Sequence, residues 1–230
     1  MGPLRHIVGL GGGGDTPEQS ERLHEYVLRL VGKDRPKLLF VPTASADNDE
    51  YIVWVHERFD PVAQLTHLKT FPWPPANLRE LVLEQDAIFV SGGNTANMLA
   101  IWRVHGIDAL MREAWERGIV LWGASAGMIC WFEHGVTDSF GPELDAMECL
   151  GFLPGSACPH YDGEERRRPV YSELVANGFP PGIALDDAAA AHYVGTELRE
   201  VVASRPEARG YAVGPDGEVP LPSRLLTASD

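Results

Sequence analysis

Apolar positions in this chain fall into short blocks separated by amphipathic stretches. "HIVGLGG", "KLLFVPTA", "AIFVSGGN" and "IVLWGAS" are runs of the kind that form strands buried on both faces. "QLTHLKTF" alternates with a period of two, as a half-buried strand does. The stretches between them carry helical spacing. "TPEQSERLHEYVLRLVG" predicts a helix with Thr16 as cap, Pro17 in the first turn and Gln19 closing a capping box. "DNDEYIVWVHERFD", "NLRELVLEQ", "TANMLAIWRVHG" and "IDALMREAWERG" predict four more, the last two stopped by glycine. "AGMICWFE" reads as the helix leaving the fifth strand. Further on, "GSACPHY" ends a strand, and "EERRRPVYSELVANG" is a helix interrupted at Pro169. "GIALDDAAAAHYVG" is a strand or hairpin, and "YAVGPDGEVPLP" closes a hairpin on an Asp-Gly turn.

Strand and helix in alternation imply an α/β fold of three layers, a mostly parallel sheet with helices on both faces. In such sheets functional groups collect where strands end at their carboxyl side. That singles out four loops, 11–15, 43–47, 91–95 and 123–127. A length of 230 residues suits one α/β domain over 1–230. With 44% hydrophobic and 23% charged residues, the composition is that of a soluble globule. A net charge of −14 argues against nucleic acid or an anionic membrane as partner. The three cysteines, Cys130, Cys149 and Cys158, have no metal-ligand spacing and read as free thiols of a reducing compartment. No signal-peptide pattern opens the chain, and no run approaches the roughly 18 apolar residues of a membrane span. The expected location is cytoplasmic. The oligomeric state is left open, a homodimer included.

One stretch changes the picture from fold to chemistry. In "GIVLWGASAGMICWF" a strand ends in Gly-Ala-Ser-Ala-Gly and a helix pattern resumes at once. A nucleophile elbow requires that context: a sharp turn with small neighbours projects Ser125, and the following N–H groups sit where an oxyanion can form. The alternative is a tight strand–helix turn with a capping serine. A serine nucleophile needs a base and an acid to orient it. Among the eight histidines, His160 stands at a strand end after Pro159. In "ALDDAAA" two acids, Asp186 and Asp187, interrupt an apolar run; in a strand they point to opposite faces, one toward an imidazole and the other into solvent. They could also be two turn aspartates. A competing motif is Gly9–Gly14, "GLGGGG", which fits a dinucleotide loop. The second strand, however, ends in "VPTA" without the acid that would hold a ribose.

"FVSGGNT", "GASAGM", "PHYDGEERRR" and "GIALDDAAA", in that order from Gly9 to about Val194, resemble the peptidase E and cyanophycinase group of serine peptidases. The resemblance implies a fold akin to class I glutamine amidotransferases, hydrolysis of small peptides, and no metal or cofactor. It implies Ser125 as nucleophile, His160 as general base and Asp187 as third member, standing where the family has a glutamate. A shorter acid must then approach the imidazole by about one methylene. The oxyanion hole would combine the N–H groups of Gly93 and Ala126. Asn94 and Thr95 would shape the substrate loop, with a plain helix cap by Thr95 as the alternative. Peptidase E resembles an aspartyl dipeptidase that recognises its N-terminal aspartate through an arginine, for which Arg166 is the best match; a solvated helix face is the other reading of that arginine run. The segment after the final hairpin matches the family poorly. A non-catalytic member of the same fold would keep the turn glycines and lose its base or acid.

Overall fold

The apolar blocks become the parallel centre of an eight-stranded sheet in the computed structural model, which describes residues 2–227. Residues 1 and 228–230 of the expected domain lie outside the described residues. The first half alternates as the pattern predicts. It runs β1 (His6–Leu10), α1 (Pro17–Val31), β2 (Lys37–Val41), α2 (Asp49–Phe59), β3 (Gln64–His67), α3 (Leu78–Leu83), β4 (Ala87–Val90), α4 (Thr95–His105), α5 (Ile107–Glu116) and β5 (Val120–Ala124). Strands β1, β5, β4, β2 and β3 lie side by side in that order, all parallel.

Their pleat sorts side chains between two faces. Val8, Leu10, Leu38, Phe40, Phe89 and Trp122 meet Leu23 and Val27 of α1 and Val55 and Phe59 of α2. Ile7, Leu39, Val41, Ile88, Val90 and Leu121 face the other way, onto Met98 and Trp102 of α4 and Met111 of α5. Thr16 caps α1 as expected, accepting from the Gln19 amide at 3.4 Å. Gln19 itself reaches one residue further back, to the Asp15 amide at 2.7 Å.

The second half departs from a single sheet. Helix α6 (Ala126–Ile129) is short, and "CWFE", expected to continue it, turns instead into β6 (Phe132–Thr137). After it come β7 (Asp145–Glu148), β8 (Leu153–Cys158), α7 (Arg167–Ala176), β9 (Gly182–Leu185), β10 (Ala189–Val194), β11 (Glu197–Ala203), β12 (Gly210–Gly214), β13 (Gly217–Pro220) and β14 (Ser223–Leu225). Strands β13, β12, β9, β8, β6 and β7 form a second sheet of six. Its Phe132, Leu153 and Ile183 join the α4–α5 core, so part of the third layer is sheet. Helix α7 closes a smaller core of Tyr171, Val175, Val136, Ala184 and Val213.

Three local expectations are corrected. Pro169 does not interrupt a helix; it sits in the first turn of α7, where a missing N–H costs nothing. "GIALDDAAAAHYVG" is neither one strand nor a hairpin: β9 belongs to the second sheet, while β10 runs antiparallel to β1 in the first. The closing hairpin forms, but Gly214 pairs with Gly217, so the turn is Pro215-Asp216 and the glycine, at φ +123°, follows it. Among the described residues no helix is long and apolar enough to cross a membrane.

Candidate active site

Register brings the carboxyl ends of three parallel strands level. Gly9 and Leu10 pair with Gly123 and Ala124, and Val90 pairs with Gly123. The loops after β1, β4 and β5 therefore meet. Ser125 sits between β5 and α6 at φ +55° and ψ −110°, outside the regions a non-glycine residue ordinarily occupies. Holding it there costs on the order of 1–3 kcal/mol. Its amide donates to the Leu10 carbonyl at 3.1 Å, which ties the turn to β1. The turn is this tight because Gly127 has no side chain: a Cβ there would lie 2.3 Å from the Val90 carbonyl oxygen.

His160 and Asp187 come from the second sheet onto the loop that follows β1, next to the residue that holds the Ser125 amide. His160 follows β8 at φ +51°, with its amide on the Gly11 carbonyl at 3.1 Å. Asp187 lies in the three-residue crossing from β9 to β10, where the chain changes sheets. Its carboxylate Oδ1 stands 2.7 Å from His160 Nδ1, and the two side chains are 22% and 26% exposed. With Nδ1 donating to the carboxylate, Nε2 is the ring nitrogen free to accept a proton. Asp162 supports the pair: its Oδ1 accepts from the Asp187 amide at 2.8 Å, and its Oδ2 is paired with Arg205. Asp187 reaches the imidazole because glycines flank it. A Cβ at Gly12 would fall 1.7 Å from Asp187 Oδ1 and 2.7 Å from His160 Nδ1; one at Gly163 would fall 2.0 Å from Oδ2.

Asp186 does point away from Asp187, but not into solvent. It is buried, accepting from the Arg209 amide at 3.0 Å and the Tyr211 hydroxyl at 3.4 Å. Burial, with the Asp162 charge nearby, pushes its pKa up to about 6.

A cleft of about 240 Å³ opens over Ser125, lined by Gly93, Asn94, Asp138, Glu164 and Arg167. Gly93 adopts φ +132°, and neither its amide nor that of Ala126 donates a hydrogen bond among the described residues. Asn94, not Thr95, caps α4: its Oδ1 accepts from the Asn97 amide at 2.8 Å, and its Nδ2 donates to the Ser139 carbonyl at 3.0 Å. Thr95 is buried as the first residue of α4. Arg166 is exposed and paired with Glu143, outside the cleft. Its neighbour Arg167 lines the cleft with its side chain 3% exposed. Arg167 donates from Nε to Glu164 at 2.7 Å and from Nη1 to the Val136 carbonyl at 3.0 Å, and Asp138 lies 3.8 Å from Nη2. Of the two neighbours in the arginine run, Arg167 lines the cleft and Arg166 does not. The signal was there: Arg167, Tyr171 and Val175 recur every four residues, and all three are buried on one face of α7.

The glycine loop after β1 serves this site. Its Gly11 amide is bonded to the Ala189 carbonyl and its Gly14 amide to Ser20 Oγ, both at 2.9 Å, so neither is left to cradle a phosphate. Among the described residues no three His, Cys, Asp or Glu side chains are grouped to hold a metal ion. Burial pushes the Cys149 and Cys158 thiols up to about 12 and Cys130 well above its ordinary value, which keeps all three protonated.

Comparison with known proteins gives the same direction. The model of peptidase family S51 matches residues 7–201. A Bacillus subtilis (strain 168) protein named uncharacterized peptidase YgaJ is 44% identical over 230 residues, covering 97% of this chain and all of its own. Peptidase E of Shewanella denitrificans is 28% identical, with 90% of each chain covered. Among solved structures, a peptidase from an acI-B1 actinobacterium superposes with a TM-score of 0.70 at 19% identity, over 97% of this chain and 96% of its own. A putative peptidase E protein from Listeria monocytogenes gives 0.62 at 16% identity, over 85% and 96%. These two likenesses concern the fold, which is the class I glutamine amidotransferase-like α/β architecture.

Proposed function

Because the chain belongs to peptidase family S51, we propose that it hydrolyses short peptides as a serine peptidase through Ser125, His160 and Asp187. The observation that carries this reading is the strained Ser125 turn, at φ +55°, with a histidine–carboxylate pair of 2.7 Å packed on the loop that follows the neighbouring strand β1. In this reading His160 Nε2 takes the Ser125 proton as Oγ attacks the scissile carbonyl. Asp187 holds the imidazole by its Nδ1–H and balances the imidazolium charge. The free amides of Gly93 and Ala126 donate to the tetrahedral oxyanion. His160 then returns the proton to the leaving amine, and water repeats the sequence on the acyl-enzyme. A preference for N-terminal aspartate would run through Arg167, the cation in the cleft, and not through Arg166.

A fluorophosphonate probe tests the chemistry. Ser125 should label in the intact protein, Ser125→Ala should not, and His160→Ala should label far more slowly. An unlabelled wild-type protein would favour a non-catalytic member of the fold. On an Asp-Xaa dipeptide panel, Arg167→Met should remove any aspartyl preference, while Arg166→Ala should preserve it.

A further inference from the structure

A second recess opens beside Ser125, and nothing in the chemistry above uses it. It lies on the α1–α2 face of the sheet, with a volume of about 140 Å³, walled by Leu10, Leu23, Tyr51, Trp54, Phe89 and Ala124. Two of its lining residues tie it to the site. Ala124 is the residue before Ser125, and Gly12 is the one packed against His160 and Asp187. The wall carries no charge, in a protein whose net charge is −14. His24 lines it too, but burial lowers its pKa to about 4, so the ring is neutral at pH 7. Leu10, Leu23 and Phe89 are buried, whereas Trp54 is 46% exposed. That leaves apolar indole surface in water at the edge of the recess, surface that an apolar ligand would cover. An apolar cavity of about 150 Å³ takes up a benzene-sized guest. An indole would overfill this one, and a methyl group would leave most of it empty.

We propose that this recess is the subsite for an apolar side chain, of leucine or phenylalanine size, on the residue that leaves with the amine. The proposal rests on the serine-peptidase reading. In that reading His160 protonates the leaving amine, so the leaving residue lies on the His160 side of Ser125. Gly12 puts the recess on that side. The polar cleft of Gly93, Asn94 and Arg167 is then left for the acyl half of the substrate. The two chambers sort a dipeptide by polarity: polar at its amino end, apolar at its carboxyl end.

The test is kcat/KM for two dipeptide series, Asp-Xaa and Ala-Xaa, with Xaa as Gly, Ala, Leu or Phe. The wild-type protein should prefer Leu or Phe over Gly by roughly tenfold or more, since a few buried methylenes carry discrimination of that size. Trp54→Ala should collapse the Leu-to-Gly ratio toward one, and Trp54→Phe should retain most of it. A flat series in the wild-type protein overturns the subsite, as does a Trp54→Ala variant that loses activity equally on every substrate. Fluorophosphonate labelling of Ser125 with a flat series overturns the subsite alone. Absence of both labelling and hydrolysis overturns the peptidase reading and the subsite with it.

Discussion

Asp187 is the residue on which the proposed chemistry depends most closely. By the resemblance it stands where the family has a longer acid, and it meets His160 Nδ1 at 2.7 Å. Gly12 and Gly163 let their loops close onto both carboxylate oxygens. Asp187→Asn should therefore lower kcat by on the order of 10³–10⁴, because an amide cannot hold the imidazole in the same tautomer. Asp187→Glu should also fail, since the space for its added methylene is already filled by the two glycine backbones. Both variants should keep the wild-type near-ultraviolet circular dichroism. An unchanged rate in Asp187→Asn would move the role to Asp162 or Asp138, or show that no acid is needed. Full activity in Asp187→Glu would show that the loops retreat at little cost.

Two connecting elements, the glycine loop after β1 and the β9–β10 crossing, hold the site together. A methyl group on Gly12 has nowhere to go but into Asp187 and His160, whereas one on Gly13 would meet only Ser20 Oγ, at 3.4 Å. Gly12→Ala should cost most of the activity and about 1–3 kcal/mol of stability, the usual range for overpacking. Gly13→Ala should cost far less of either, which thermal melts and peptide turnover on the pair would show. Equal effects would remove the special role of Gly12. At this scale the sequence was legible where each element is one uniform run. β1, β2, β4 and β5 announce themselves as apolar blocks, and α1 and α4 by their caps or glycine stops. It was illegible where tertiary context decides. "CWFE" is apolar without a period and turns into β6. "ELREVVA" carries the charges of a helix, yet forms β11 beside β10. No local signal says that β9 and β10, three residues apart, belong to different sheets. That division places Asp187 at the junction of the two sheets, so it was readable as an acid in an apolar run but not as the hinge between layers.

For the whole molecule, buried titratable groups set how stability follows pH, and they pull in opposite directions. His24 accepts from Trp122 Nε1 at 3.3 Å, and His192 lies between the Tyr26 hydroxyl at 2.6 Å and His6 at 2.9 Å. Burial lowers both pKa values to about 4. In the unfolded chain they titrate near 6.5. Between about 6.5 and 4 the unfolded chain therefore binds more protons, and stability falls as pH falls. Asp186 has the reverse sign. Its folded pKa of about 6 exceeds its unfolded value near 4, so the folded protein holds the extra proton. Its burial is tolerated below pH 4 and becomes a penalty as pH rises through 6. Two histidines outweigh one carboxylate in the shared window, and the wild-type melting temperature should drop from pH 6.5 to pH 4. Asp186→Asn removes only the opposing contribution. Relative to the wild type, the variant should gain on the order of 1–3 kcal/mol between pH 4 and pH 7. The fall toward acid should then become steeper. Comparing the pH trends cancels any constant cost of seating an amide beside Arg209 and Tyr211. A wild-type-to-variant difference that stays constant from pH 4 to pH 7 would mean that Asp186 is ionised throughout, and that its buried carboxylate is paid for by hydrogen bonds alone.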